Sequence, residues 1–530
     1  MKRTADLICL VLLVLALPIA WFAIRAQGMT HLNWALPVSL LIWLVLFGVW
    51  YLCFGPANFR RRLAHVGAAG LSMAVMGGLG ALLLHYEGSA SGSSFPKVRW
   101  AWESPEDSPG TVDELVQGDL SASAADLTQR AAPSTDFLGA DRDGMAPDLI
   151  FGTDWSASPP ELLWRRPIGK AWSSFTVQEG RAVTQEQSGP SERVLCLDLV
   201  TGEEIWHHEN EGVRLLDVKK ENAGARMGGD GPRATPVISG DRVFAYGSTG
   251  ILDCLDLSTG EPIWEKDVLA THGSEVQKWG MASSPLLLEP EGLVVVTGSD
   301  QPGATLIALE RETGEEAWVY RGDGASYSSP RILSPLGVRQ VVSVNAHSVT
   351  GHNPATGERL WKEEWRGSFP KVGQPILVGE DRILVTASYG AGSLLLRLRD
   401  SGGEWSVDRL WKSNRLKTKF STAAVLGDLA YGLDEGRLAA IDLETGDKVW
   451  KKEKFGFGQH LLFGEHLLVQ AEKGPVVLGT ISPEGFTEVA RLDALSSMTW
   501  NVPTVAGRIL LVRNDQEAAA YLLPPPSPPE

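Results

Sequence analysis

One phrase returns along this chain and limits what it can fold into. Cys196-Leu197-Asp198-Leu199-Val200-Thr201-Gly202-Glu203-Glu204-Ile205-Trp206 is its first clear copy. Further copies run over Cys254–Trp264, Ala308–Trp318, Gly351–Trp361 and Ala440–Trp450. In each, a short apolar strand enters a tight turn, and a second strand reaches Trp five residues after the Thr. An Asp or Asn can bond the backbone just ahead of it, and Gly accepts the positive φ of a sharp reversal. Trp is a large, rigid wedge with one N–H to satisfy. The Thr residues at 201, 259, 313, 356 and 445 step by 58, 54, 43 and 89, and the last step holds a degraded copy around Leu394–Trp411. Self-similarity at this period, carried on strands, predicts a β-propeller.

The two ends of the repeat region complete each other. Glu161–Pro167, with Trp164, reads as the last strand of a repeat without the strands that should precede it. Val502–Leu523 supplies inner strands without a closing Trp. A ring shut by the early strand removes an exposed edge. Bodies starting near Trp172, Ala234, Ala282, Ser328, Gly373, Ser421, Gln459 and Trp500 predict an all-β, eight-bladed β-propeller over 136–523. Its structural tryptophans are Trp164, Trp206, Trp264, Trp318, Trp361, Trp411 and Trp450. Small entries such as Ser173-Ser174, Ser283-Ser284 and Ser328-Ser329 suit a crowded centre.

The region before the repeats has a different character. Residues 7–24, 35–54 and 66–84 are apolar and uncharged, each near the length a bilayer span needs, which predicts three transmembrane helices in a membrane domain over 1–86. Lys2, Arg3 and Arg60-Arg61-Arg62 on one side, against Arg25 on the other, place the N-terminus in the cytoplasm and the body outside it. The expected location is a bacterial inner membrane, with the body on the periplasmic side. Residues 87–135, rich in small and acidic residues, read as a flexible tether, with Trp100 and Trp102 near the interface. Residues 524–530 read as a Pro-rich disordered tail. The first 86 residues hold six basic side chains and one acidic, so the body is more acidic than the whole chain's −16, which argues against nucleic acid. Four cysteines rule out a disulfide scaffold, and Cys196 and Cys254, at equivalent positions, read as buried fillers.

The phrase Ala/Cys-x-Asp-x-x-Thr-Gly-x-x-x-Trp resembles the repeat of the pyrroloquinoline quinone (PQQ)-like propellers, over about 137–523. That family includes quinoprotein dehydrogenases and the propeller lipoprotein of the outer-membrane β-barrel assembly machinery. The resemblance specifies a fold more than an activity. A quinoprotein would need a cation, usually calcium, to polarise the quinone and an Asp to take the substrate proton. The vicinal Cys-Cys of many soluble relatives is missing from this sequence. Asp198, Asp256 and Asp442 read as turn formers, as do Glu203, Glu261 and Glu315 by their recurrence. Asp141-x-Asp143-Gly144 lacks the later ligands of a calcium loop and reads as a turn. His207-His208, on an outer strand, is not expected to hold a metal.

The positions just ahead of the inner strands carry a different message. Lys170, Trp172, Arg233, Lys278, Trp279, Tyr327, Lys371, Lys417, Lys419, His460 and Trp500 predict a cationic, aromatic-lined funnel for an anionic ligand or acidic segment. Solvated loop charges neutralising nearby acids are the plainer reading of the same residues. The functional expectation is a non-catalytic envelope scaffold without cofactor or metal, binding an envelope protein or an anionic polymer. The alternative is a PQQ- and calcium-dependent membrane dehydrogenase passing electrons to quinone.

Overall fold

The computed structural model describes residues 35–92, 96–102, 114–118, 127, 129, 131–219, 228–367 and 370–526. The chain divides into two compact units, Met1–Pro109 and Gly110–Glu530. In the first, helices span Ala35–Phe54 and Phe59–Leu83. Asn58 starts the second by accepting the Arg61 amide at 3.0 Å. Arg60-Arg61-Arg62 therefore occupy a helical first turn, where the sequence suggested an interspan loop. Phe59–Gly80 is long and apolar enough to cross a membrane, and Leu44–Phe54 is a shorter apolar helix. The expected span over 7–24 lies outside the described residues. A hairpin follows, pairing Leu84–Ser89 with Pro96–Trp100, and exposed Trp100 and Trp102 stack at 4.8 Å.

Among the described residues the second unit holds eight sheets of four or five strands, antiparallel but for one short parallel strand. Their first strands are Thr176–Gln178, Val237–Ser239, Leu286–Leu288, Arg331–Leu333, Ile376–Val378, Ala424–Leu426, Gln459–Phe463 and Thr504–Ala506. Eight buried apolar clusters each join one sheet to the next, and one joins the last sheet back to the first. The result is an all-β, propeller-like ring in which no sheet buries its faces alone.

The recurring phrase is what couples neighbours. Asp256 Oδ1 accepts the amides of Ser258 and Thr259, both at 2.9 Å, and fixes the turn; Asp198 and Asp442 do the same in their repeats. At Gly260 the φ is +75°, and an added Cβ would lie 2.5 Å from the Trp206 ring of the preceding sheet. Trp206 Nε1 then donates to Leu257 O at 2.9 Å across the same junction. Trp164, Trp264, Trp318 and Trp411 dock on Gly202, Gly314, Gly357 and Gly446 in the same way, each donating to a carbonyl of the next sheet. Trp450 also donates to the next sheet, to Ser482 O at 3.1 Å, but Gly485 there meets Lys452 and not the ring. Trp361 departs from both contacts. Its following repeat is the degraded one, so it turns to Gln340 Oε1 of its own sheet at 2.7 Å.

Closure follows the expected plan. Glu161–Pro167 pairs with Glu517–Leu522, with Trp164 opposite Ala520. Cys196 and Cys254 are buried and free, and burial pushes both thiols up to about 12.

The centre of the ring holds something the repeat does not announce. Residues 134–146 pass from one first strand to another. Ser134 bridges Val177, and Thr135 O accepts the Ile238 amide at 2.8 Å. Arg142 donates to Ser284 O at 3.1 Å and Pro285 O at 2.7 Å. Arg331 reaches Asp141 O at 2.7 Å and pairs with Asp143 at 3.2 Å. Gln374 donates to Arg142 O at 3.0 Å, Met145 Sδ meets the Val425 amide, and Met145–Ala146 runs parallel to Leu462–Phe463. A segment touching seven of the first strands, or the residues that lead into them, lies on the axis and plugs it. Asp141-Arg142-Asp143-Gly144 is thus a turn, with Arg142 paired to Asp136 and Asp143 paired to Arg331.

The expected tether is not free along its length. Val116–Gln117 adds a strand beyond Glu161–Pro167, and Leu127 and Ala131 pack into the cluster closing the ring. Scattered apolar residues suffice here because a strand edge and a ready-made core receive them. The first residue of the Pro-rich tail is also held, with Pro524 O accepting the Gly152 amide at 2.8 Å; 527–530 lie outside the described residues.

Candidate functional site: an aromatic collar

In a four-stranded antiparallel meander, the entry to the first strand and the turn between the second and third share one end. The Thr-Gly turns, between third and fourth strands, share the other. The plug meets Val177 and Leu462–Phe463 on the first strands and also the entry residues Ser284, Pro285 and Gln374, and the entries together form a collar at that end of the sheets.

Beneath that collar the small entry residues form a belt. Each donates its amide to the hydroxyl at the equivalent place in the next sheet: Ser174 to Thr235 at 3.1 Å, Thr235 to Ser284 at 2.9 Å, and Ser284 to Ser329 at 2.9 Å. Gln374 does the same to Thr422 at 3.1 Å. Serine and threonine at these entries thus satisfy backbone donors as well as saving space.

The collar brings together most of the residues singled out from the sequence. Trp172 and Trp500 lie 4.6 Å apart, Trp500 and Phe420 4.6 Å, and Phe420 and Phe457 6.3 Å. Lys419 Nζ sits 4.5 Å over Tyr389 and 4.8 Å over Phe457. On the other side Trp279 and Tyr327 pack at 5.7 Å, and the Trp279 amide donates to Tyr327 Oη at 3.1 Å. Arg233 donates to Gly228 O at 3.0 Å and Gly229 O at 2.7 Å, and Trp172 Nε1 also donates to Gly228 O, at 2.6 Å. Lys170 and Lys278 are exposed at the rim, Lys278 lying 4.7 Å over Trp279.

Several of the expected funnel residues lie beneath the surface. Lys371 is fully buried, donating to Ala346 O and lying 5.3 Å over Trp365. His460 is buried, and burial lowers it to about 4. Neither is presented at the surface of a funnel, and Lys419, Tyr327 and Trp500 are buried as well. The cations have acids beside them. Burial lowers Lys419 to about 8 while Glu435 and Glu472 oppose the shift, and burial lowers Arg233 to about 10 against Tyr327, Asp230 and Glu192. Lys417 lies 4.0 Å from Asp434. Sequence spacing missed these acids because they come from other segments, Glu192 and Asp434 from strands. Tyr389, Phe420 and Phe457 were missed too; Phe420 and Phe457 share their entry segments with Lys419 and Gln459 and were legible there, while Tyr389 sits in a turn.

A ring of Trp-stapled sheets with a plugged axis and an aromatic collar defines a propeller of the PQQ-like class. The chain belongs to the family described as outer membrane protein assembly factor BamB, whose model matches residues 153–276 and 190–452. The protein of that name from Burkholderia pseudomallei is 26% identical over 334 residues, 54% of this chain and 83% of that one. The one from Yersinia pestis is 26% identical over 277 residues, 48% of this chain and 65% of that one. Among solved structures, the quinohemoprotein alcohol dehydrogenase of Comamonas testosteroni superposes with a TM-score of 0.56 at 12% identity, covering 77% of this chain and 84% of that one. That likeness is one of fold.

Proposed function

We propose that the eight sheets are the eight blades of one propeller, held outside the cytoplasm of a bacterial inner membrane by its N-terminal helices, with the N-terminus cytoplasmic. The propeller is a non-catalytic scaffold whose collar receives a segment of another envelope protein. The observation that carries this reading is the collar, where aromatic faces ring the entry side and each buried cation has acids beside it. Such a surface suits a peptide with both apolar and polar groups better than the anionic polymer that isolated cations would have suggested. Relatives named as outer membrane protein assembly factors support an envelope role.

The donor set favours binding over quinone chemistry. A PQQ site would need a cation beside a free carboxylate base. The collar carboxylates are engaged: Glu472 accepts Trp500 Nε1 at 3.0 Å, Glu435 accepts the Ser388 hydroxyl, and the charge they flank is Lys419. The residues present do not fit that group.

Site-specific photo-crosslinking in intact cells tests the reading. A crosslinker at Lys278 or Lys170 is expected to capture one discrete envelope protein, while one at Thr201 or Thr259 on the turn end captures none. Identical adducts from both ends, or none from the collar, would count against it.

A further inference from the structure

We infer that His208, Asp253 and Glu265 form a divalent-cation site, of the zinc type, at the outer junction of the first and second sheets. The inference goes beyond the scaffold reading and uses none of the collar residues.

The geometry starts from strand register. Asp253 on strand Ile251–Asp256 stands directly opposite Glu265 on Pro262–Asp267, so two carboxylates are cross-strand neighbours. Like charges in that arrangement repel unless something lies between them. His208, on the outer strand Glu204–Asn210 of the preceding sheet, faces the pair. One ligand atom from each residue lies within 4.8 Å of the others, and His208 Nε2 is 3.9 Å from Asp253 Oδ1.

The second observation is the state of those two atoms. Asp253 is 1% exposed, yet its Oδ1 has no hydrogen-bond partner, and His208 Nε2, buried beside it, has none either. A buried carboxylate oxygen left unbonded is costly unless a cation or proton meets it. The other oxygen is already placed, because Asn210 Nδ2 donates to Asp253 Oδ2 at 2.9 Å. That contact orients the carboxylate as outer-shell partners do around a metal.

Zinc takes one imidazole nitrogen and two carboxylate oxygens at about 2.0–2.2 Å, with water completing a tetrahedron. Such ligand atoms sit about 3.4 Å apart, so the 3.9 Å pair needs only a small rotamer adjustment. Glu265 is exposed and can swing in. An imidazole in the set favours zinc over calcium or magnesium. The ion would bind two sheets at once and staple their outer strands together.

The test uses the full-length protein in detergent, freed of metal and titrated with Zn²⁺ by calorimetry and by thermal melting. The parent is expected to take up one tightly bound equivalent and to melt at a higher temperature with Zn²⁺. Glu265→Gln, at an exposed position, and His208→Gln are each expected to weaken uptake at least about ten-fold and abolish the shift; Asn210→Ala weakens it about ten-fold through orientation. A parent that takes up no Zn²⁺, or variants that bind it as tightly as the parent, would overturn the assignment.

Discussion

The rim and the centre of this propeller are held by different means. At the rim, one contact is repeated: a Trp ring on the next sheet's glycine, with its N–H on a carbonyl beside it. At the centre, single contacts from residues 134–146 reach seven of the first strands, or the residues that lead into them, and no two are alike. The difference teaches how repeat architectures carry information. A junction that recurs leaves a period in the sequence, while a contact made once leaves only unremarkable residues.

The largest expected effect lies at the centre. Arg142→Ala would remove bonds to two carbonyls and strand the half-buried Asp136, whose carboxyl is already pushed up by desolvation. Breaking a buried pair from one side costs about 3–5 kcal/mol, and chemical denaturation reads it directly. A loss below 1 kcal/mol would mean the plug is not integral to the ring.

Two glycine variants sharpen the account of the rim. Gly240 and Gly260 both have positive φ, +60° and +75°, but only Gly260 is pressed by a Trp ring. Gly240→Ala is expected to cost about 1–2 kcal/mol for the backbone alone. Gly260→Ala should cost about 2–4 kcal/mol, since Trp206 must also move. Equal losses would show that the Trp contact contributes little.

The pH dependence of stability probes a non-repeated junction between the same two sheets. Glu192 is buried against the Ser248 amide and hydroxyl, and burial raises its carboxyl from 4.5 to about 7. A raised folded pKa means its stabilising contribution is intact below 4.5 and fades as pH rises through about 7. Glu192→Gln is therefore expected to gain on the parent over that range, by on the order of 3 kcal/mol at most. Parallel melting-temperature curves for the two proteins would contradict this. The smallest effect is at the exceptional Trp361: Gln340→Leu should cost about 1 kcal/mol, the worth of one side-chain bond, by urea denaturation.

The same contrast explains what the chain disclosed beforehand. Turn, strand order, closing strand and rim tryptophans were legible because Asp-x-x-Thr-Gly and Trp keep a fixed spacing. The collar was half legible: Trp172, Arg233, Trp279, Tyr327, Lys419 and Trp500 stand at equivalent entries and do converge. Its matching acids come from other segments and carry no shared offset. Lys371, His460, Lys419, Tyr327 and Trp500 are all buried at these entries, because sequence position gives an end of the sheet and not a side-chain direction. The axial role of Arg142 was hidden because its partners lie 142 and 143 residues away. The cluster of His208, Asp253 and Glu265 was hidden because it spans two sheets.

Amide hydrogen exchange across residues 134–146 and 161–167 tests the central claim, that one N-terminal stretch both plugs the axis and shuts the ring. The account predicts protection there as slow as in Ala518–Leu522, the strand facing the closure. Exchange in 134–146 as fast as in an open chain, beside protected sheets, would contradict it.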